Sequence, residues 1–407
     1  SEAKRFCPEM PVHIFSPKEK EKNEEFFKNN KSGLLITTYG LLTEHTEHLQ
    51  SLPWNCLIFD EAQNLKNITT KRTTAARKVP AQFKLGLTGT PLENHYGEFY
   101  SLLDLVVPGS LGEYSEFRER YVNPPSILRE ELKVLRLKTK PLLLRRTKSE
   151  VMHELPPKVE SVVTLPFEEH QKKIYRDIAT AYNEQIKKVV ANQGEAKSQL
   201  QMLTALLRLR QVCSDPGAIP GVEYDQSSPK VVLLAQSLKE ITDTGESALI
   251  FTQFISTFEK IQTQLQAHHV PNFSMSGSTP RALREKQIQS FNESKSGAVM
   301  LMTLKTGGVG LNLTKATYIF HVEPWWNPAV ENQATDRAHR IGQTKPVQVY
   351  RYIMQDSVEE KIQLLKDIKS KRFDALFASS ESEKEFSHIS SHLTQKDFEY
   401  LISTEGN

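Results

Sequence analysis

Short apolar runs, each closed by polar or turn-forming residues, recur at Leu34 to Tyr39, Cys56 to Phe59, Lys84 to Leu87, Ala248 to Phe251, Ala298 to Leu304, Thr317 to Val322 and Val347 to Ile353. Runs this short and continuous read as strands buried on both faces. Between several of them the apolar residues change period. Phe254, Phe258, Ile261 and Leu265 repeat at helical spacing, and Thr279-Pro280 offers a cap and a first-turn proline ahead of Ile288 and Phe291. Strand alternating with helix predicts an α/β fold built on parallel sheet.

From His95 to Gly245 the pattern is instead mostly helical. Ile174, Ile178, Tyr182, Ile186 and Val190 form one stripe, and Leu200, Leu203 and Leu207 begin another, with Lys, Gln and Glu opposite. Helical insertions therefore interrupt two α/β regions, and Pro156-Pro157, which cannot continue a helix, marks the expected crossing between them. The expected organisation is a first lobe over residues 1–155, with a helical insertion from about 95, and a second over 156–375, with an insertion at about 165–215. Within the second lobe, Asp356 to Phe373 carries Val358, Ile362, Leu365 and Ile368 on one helical face. Residues 376–407 form a tail whose Ser379 to Ser387 stretch reads as solvated.

Composition narrows this only a little. A chain of 407 residues has room for two or three domains, and 38% apolar with 25% charged residues excludes a fibrous or mostly disordered protein. No apolar run approaches the roughly 20 residues of a membrane helix, so no membrane partner is expected. Lys and Arg number 52 against 49 Asp and Glu, and the resulting +3 neither requires nor forbids a nucleic-acid partner. Cys7, Cys56 and Cys213 are scattered, with no Cys-x-x-Cys pair, which argues against a zinc site or a disulfide framework and for a reducing, intracellular setting. The chain opens on Ser1 with no signal-peptide pattern, and its N-terminus is expected to be a cut one.

Three clusters carry candidate chemistry. Leu57-Ile58-Phe59 delivers Asp60 and Glu61 to the C-terminal end of a strand, the edge at which open α/β sheets bind ligands. Hydrolysis of a nucleoside triphosphate needs one carboxylate for Mg²⁺ and a second to polarise the attacking water, and Asp60 and Glu61 fit those roles. Next, Gly86-Leu87-Thr88-Gly89-Thr90-Pro91 closes the following strand; Thr88, Gly89 and Thr90 are candidates for a relay between nucleotide state and the rest of the lobe, or an ordinary strand-to-turn junction. The third cluster joins Lys305-Thr306-Gly307-Gly308-Val309-Gly310 to Trp325-Trp326 and to Asp336-Arg337-Ala338-His339-Arg340. Its glycines permit close backbone approach to a phosphate, and the two arginines, three apart on an expected helix, aim at one anionic target. The two tryptophans, between prolines, read more readily as packing against the neighbouring lobe than as base stacking.

The strings IFDEAQ, LTGTPLEN, LLRRTKSEV, ELPPK, TGGVGLNL, PWWNP and ATDRAHRIGQ together resemble, in the correct order from about Leu34 to about Ile362, the SWI/SNF-related ATP-dependent DNA translocases, a branch of helicase superfamily 2. The resemblance implies two RecA-like parallel-sheet lobes that close on ATP and step along duplex DNA, remodelling nucleoprotein complexes. It implies that Asp60 holds Mg²⁺, that Glu61 activates water, and that Arg337 and Arg340 are arginine fingers from the second lobe. Gln63, Gly310 and Gln343 would lie along the nucleotide. The DNA groove would draw on Thr37, Thr38, Thr252, Gln253, Gly277, Ser278, Lys305 and Thr306. Arg145 and Arg146 belong to a run from Lys133 to Lys148 with seven basic and no acidic residues, which either tracks phosphates or merely solvates a face. The parent protein would act in the nucleus of a eukaryote or the cytoplasm and nucleoid of a prokaryote.

One part of the family pattern is missing. Nowhere in the chain does Gly precede Lys, so the Gly-Lys-Thr or Gly-Lys-Ser loop that cradles phosphates, the Walker A segment, is not encoded. The first lobe is thus expected to be incomplete, to carry unpaired strand edges and an exposed apolar face, and to be completed by an upstream segment or another polypeptide. Two other readings stay open: a non-enzymatic DNA- or partner-binding module, and a strand-separating or RNA helicase sharing the same lobes.

Overall fold

The computed structural model describes residues 2–29, 32–89, 95–124, 129–146, 148–152, 154–193, 195–307, 311–325 and 328–363. They form two compact units that divide at Thr139 and Lys140. This boundary precedes the expected one at Pro156-Pro157, and local hydrogen bonding shows why. Pro157 already belongs to the sheet of the second unit, its carbonyl accepting from Val347 N–H at 3.0 Å. The proline pair opens an edge strand, where a missing N–H is tolerated.

The first unit has two separate two-stranded parallel sheets. In one, β1 (Val12–Ile14) pairs with β2 (Leu34–Ile36); in the other, β3 (Trp54–Phe59) pairs with β4 (Ala81–Gly86). The strand expected to run to Tyr39 stops at Ile36 because Thr38 accepts Leu41 N–H through its hydroxyl at 3.2 Å and starts the helix Tyr39–Glu44. Phe59, and Leu57 more partially, point into a core with Ala62, Leu65, Ala76, Val79 and Leu105, under the helices Lys71–Lys78 and Tyr96–Val106. The other face of the β3–β4 pair sets Cys56 beside Phe83 and Ile58 beside Leu85. Ile58 is 55% and Phe83 59% exposed, so the bare apolar face expected for the first lobe is present on this sheet. Parallel sheet is ordinarily covered on both sides.

The second unit is built on six parallel strands in the order β5–β10–β9–β6–β8–β7, where β5 is Lys158–Leu165, β6 Ala248–Thr252, β7 Asn272–Met275, β8 Val299–Thr303, β9 Tyr318–His321 and β10 Val347–Met354. Every residue of β6 and β8 is buried. Val231, Leu234 and Leu238 of the helix Pro229–Asp243, with Phe258, Ile261 and Leu265 of the helix Ile255–Ala267, pack on one face of the sheet. Phe291, Leu313, Ala334 and Ala338 pack on the other, against Leu249, Phe251, Met300 and Met302. The fold is therefore α/β on parallel sheet, as the alternation of strand and helix predicts.

The apolar-run criterion misses β1, β5 and β7. Strands β5 and β7 are the two edges of their sheet, half open to solvent, so their sequences alternate or turn polar instead of running apolar. In the insertion, the stripe from Ile174 to Ile186 does pack inward, whereas Leu203 (54% exposed) and Leu207 (45%) point outward. The buried face of the helix Glu195–Ser214 is Met202, Ala205, Leu206, Leu209, Val212 and Cys213. A leucine-rich helix offers more than one i, i+3, i+7 set, and spacing alone does not select between them. Residues 358–363 are helical and bury Val358 and Ile362 in the insertion's core; the remainder of the expected helix to Phe373, and the tail, lie outside the described residues.

Charge is buried beneath this sheet. Lys230 Nζ lies 2.8 and 2.6 Å from the two Glu359 carboxylate oxygens and donates to Val322 O at 2.8 Å, with both side chains fully buried. Glu359 also accepts Met354 N–H at 2.9 Å. Removing one partner strands the other charge in apolar surroundings: Lys230→Met is expected to destabilise the second unit by about 3–5 kcal/mol in urea denaturation, and adding Glu359→Leu to recover most of that loss. On the outer side of the sheet, burial alone would raise the Glu160 carboxyl, but Lys158 and Arg351 beside it bring it from the ordinary 4.5 down to about 2. A depressed carboxylate contributes stability that is complete above its unfolded value and is lost as pH falls toward the folded one. The stability gap between the native protein and Glu160→Gln should therefore hold from pH 8 to about 5 and close between about 4.5 and 2, as read by thermal melting across that range.

Candidate functional site

The C-terminal end of β3 turns sharply, and the turn is strained. Glu61 has φ +49° and ψ +50°, the left-handed region that costs a side-chain-bearing residue about 1–3 kcal/mol. The surroundings compel it. Ala62 N–H donates to Leu87 O at 2.9 Å, continuing the β3–β4 ladder past Glu61, while Asn64 holds the Glu61 carbonyl through both its backbone N–H (3.0 Å) and its side-chain amide (2.9 Å). Asp60 Oδ1 accepts Glu61 N–H at 3.0 Å. This corner presents the exposed Asp60 and the half-buried Glu61 side by side at the sheet edge.

From Glu61 a hydrogen-bonded chain crosses to the next strand. Gln63 Nε2 donates to Glu61 Oε2 at 2.7 Å, and Gln63 Oε1 accepts from the Thr88 hydroxyl at 2.7 Å. The carboxylate can only accept, so it fixes which end of the Gln63 amide faces it and leaves the amide oxygen for Thr88. Thr88 is thereby joined to Glu61 through Gln63. A Cβ at Gly89 would meet no atom within 4 Å, so that glycine is not required for space. Thr90 lies outside the described residues. The Tyr39 hydroxyl donates to the Asp60 carbonyl at 2.7 Å. Burial, reinforced by the Asp60 and Glu61 carboxylates, pushes its phenol up to about 12 and keeps it a donor.

Among the described residues no group of three or more His, Cys, Asp and Glu side chains could hold a metal ion. The donor set at the β3 end suits a different kind of site. Mg²⁺ is commonly held by one or two carboxylates and completed by water and phosphate oxygens, and the exposed Asp60 carboxylate fits that manner of binding.

In the second unit the arginines do not sit on a helix. The helix Pro328–Thr335 ends before them, and residues 336–342 form successive turns. The expectation of a shared helical face is thus corrected: Arg337 and Arg340 are placed by loop contacts. Leu313 N–H donates to Arg337 O at 3.0 Å, and Arg340 Nη1 donates to Leu311 O at 3.2 Å. Gln343, expected along the nucleotide, is buried and otherwise engaged. Its amide nitrogen reaches Thr314 O and Ala316 O at 3.0 Å and Ala338 O at 3.3 Å, and its amide oxygen accepts Thr344 and Lys345 N–H at 3.0 Å. With donors and acceptor both in use, it staples the arginine turns to the loop before β9. Gly310 and the Lys305 side chain lie outside the described residues.

The residues expected at a DNA groove divide into two sets. Thr37, Thr38, Arg145, Arg146, Gly277 and Ser278 are exposed. Thr252, Gln253 and Thr306 make hydrogen bonds within the unit. Buried Thr252 donates to Glu323 Oε1 at 2.9 Å, Gln253 N–H donates to Glu323 Oε2 at 2.9 Å, and Thr306 pairs with the Thr303 hydroxyl at 2.7 Å. Burial raises the Glu323 carboxyl despite Lys230 and these donors. Arg210, from the helical insertion, explains the arrangement. It is 3% exposed, donates to Gln253 Oε1 and to Pro324 O (2.9 Å), and lies over the rings of Phe254 and Trp325. Trp325 packs on the core of its own unit, whereas the expectation was packing against the neighbouring lobe; Trp326 lies outside the described residues. One arginine within a leucine-rich helix gives no sequence signal of such a role.

A family model described as SNF2-related domain matches residues 1–218, and a second, the helicase conserved C-terminal domain, matches residues 230–342. An uncharacterized ATP-dependent helicase of Mycoplasma pneumoniae is 34% identical over 89% of this chain and 34% of its own length. The putative ATP-dependent helicase/translocase YwqA of Bacillus subtilis is 34% identical over 93% of this chain and 42% of its own. The human SWI/SNF-related matrix-associated actin-dependent regulator of chromatin subfamily A member 1 is 30% identical over 89% and 36%. The chain thus spans about a third to two fifths of the length of these relatives. Among solved structures, the Sulfolobus solfataricus SWI2/SNF2 ATPase core in complex with dsDNA aligns over 99% of this chain and 83% of that one at 28% identity, with a TM-score of 0.49. No helix among the described residues is long and apolar enough to cross a membrane. Because the first model accounts for more than half of the residues, the chain belongs to the SNF2-related family of helicase-like ATPases.

Proposed function

We propose that the chain is part of the catalytic core of an ATP-driven translocase on double-stranded DNA that remodels nucleoprotein complexes. The observation that carries this reading is the corner at β3, where a strained turn sets Asp60 beside Glu61 and ties Glu61 through Gln63 to Thr88. Structures that hold a side-chain-bearing residue in the left-handed region do so at a cost, and such residues concentrate at working sites. The family model and the names of the relatives support ATP as the fuel.

In this reading Glu61 accepts the proton of the attacking water and aims its lone pair at the terminal phosphorus, while Gln63 fixes the orientation of the carboxylate. Asp60 would hold Mg²⁺, which when bound neutralises phosphate charge. Arg337 and Arg340 act on the same triphosphate, offsetting charge as it spreads over the equatorial oxygens. A change in the terminal phosphate alters the demand on Glu61, and the Gln63–Thr88 connection passes that change to the end of β4. Exposed Arg145 and Arg146, with the hydroxyls of Thr37 and Ser278, suit backbone phosphate contacts that ignore base identity.

The test is DNA-stimulated ATP hydrolysis by the full natural polypeptide that carries these residues. Glu61→Gln is expected to lower kcat by about 10²–10⁴-fold, and Arg340→Ala by about 10³-fold, each with a smaller change in KM. Thr88→Val, which removes one hydrogen bond from the relay, should lower kcat by about tenfold. Wild-type turnover in Glu61→Gln would end the proposal. Triplex displacement without duplex unwinding is the expected motor output; unwinding without displacement would favour a strand-separating helicase. The 407 residues by themselves, with no Gly-Lys phosphate loop, are expected to bind ATP weakly and to show no DNA-stimulated turnover.

A further inference from the structure

The turns that carry Arg337 and Arg340 have no helix or strand of their own to hold them. Their shape depends on contacts from elsewhere, and two of these come from the stretch just after the unit boundary. Lys148 Nζ sits 2.6 Å from Asp336 Oδ1 and donates to the His339 carbonyl at 2.8 Å. His339 Nε2 meets the Pro156 carbonyl at 2.9 Å. The residues engaged, Asp336 and His339, immediately precede Arg337 and Arg340. One ammonium thus spans the segment between the two arginines, and the imidazole pins its far end to the start of β5.

An ion pair with both side chains more than a third exposed contributes little to stability on its own. Lys148 does more than pair a charge. Its second bond is to a backbone carbonyl in an irregular segment, where a main-chain acceptor would otherwise go to solvent, and it fixes the distance between residues 336 and 339. Lys148 lies in the LLRRTKSEV string and ends the basic run from Lys133, and neither phosphate tracking nor solvation of a face accounts for its contact with Asp336.

We infer that Lys148, with His339, is a positioning residue for the arginine turns: it holds Arg337 and Arg340 in the geometry their action on the triphosphate requires. The inference rests on the arginine roles proposed above and deepens them. Misplacing a charge-stabilising group by an ångström is enough to cost orders of magnitude in rate, so the effect belongs in kcat.

The test uses the full natural polypeptide and a double-mutant comparison. Lys148→Met is expected to lower DNA-stimulated kcat by about tenfold or more, with the KM for ATP changed by less than about twofold. Lys148→Arg, which can still donate to both the carboxylate and the carbonyl, should recover most of the rate. The decisive measurement introduces Lys148→Met into an Arg337→Ala/Arg340→Ala background. If Lys148 acts through the arginines, the further loss there should be less than about twofold, because residues acting as a unit are non-additive. A full-sized loss in the arginine-free background, or wild-type kcat in Lys148→Met, overturns the inference and leaves the arginine roles intact. A melting transition lowered by Lys148→Met and not restored by Lys148→Arg also overturns it, as a purely structural role. Wild-type turnover in the Arg337→Ala/Arg340→Ala protein would instead remove the arginine reading, and this inference with it.

Discussion

The second unit depends on charges that cannot reach water. Lys230 and Glu359 are fully buried and close on each other, and Arg210 and Glu323 lie almost as deep at the C-terminal edge of the same sheet. Partners inside the protein make them tolerable: Lys230 is held by Glu359 and the Val322 carbonyl, and Arg210 donates to Gln253 and the Pro324 carbonyl. These partners come from distant parts of the chain. The insertion helix and the ends of β6 and β9 must be in register before Arg210 meets its partners, and the helix Pro229–Asp243, the end of β9 and the segment after β10 before Lys230 meets its own. Burial of charge thus specifies one arrangement of elements that apolar packing alone would leave looser.

That arrangement places the loops at the sheet edge, where α/β proteins bind ligands. Arg210 clamps the ends of β6 and β9 together under Phe254 and Trp325, and Glu331 links Trp325 N–H to Arg351, which reaches on to Glu160 at the sheet's edge strand. The arginine turns that follow the helix Pro328–Thr335 are held by a different set of polar ties, through Gln343 on one side and Lys148 and His339 on the other. In the first unit the analogous device is backbone strain at Glu61, imposed by the β3–β4 ladder and stabilised by Asp60, Asn64 and Gln63. Both solutions position charged groups on irregular backbone, where secondary structure supplies no bond of its own.

Much of the central architecture was legible in the residue pattern. Strands β6, β8, β9 and β10 are interior to their sheet, buried on both faces, and so announce themselves as apolar runs. Edge strands β5 and β7 carry no such signature, and Pro156-Pro157 looked like a connector because a proline pair reads the same at the start of an edge strand as in a linker. Leu203 and Leu207 looked like core because periodicity does not say which of several faces meets a neighbour. For the site, residue identity gave Asp60, Glu61, Thr88 and the two arginines as candidates from the chemistry each can perform. It did not show that Gln343, Thr252 and Gln253 make internal hydrogen bonds, because their amide and hydroxyl groups suit a phosphate and a buried carbonyl or carboxylate equally well.

By itself the sequence determined the α/β class, the order of the chemically active strings and, through them, the family, because these depend on residue type and local spacing. Only the tertiary structure decided which polar groups are already engaged, since that turns on contacts between residues a hundred or more positions apart, as between Lys230 and Glu359 or Lys148 and Asp336. A hydrogen bond has one geometry and many possible partners, and nothing short of the folded chain selects among them.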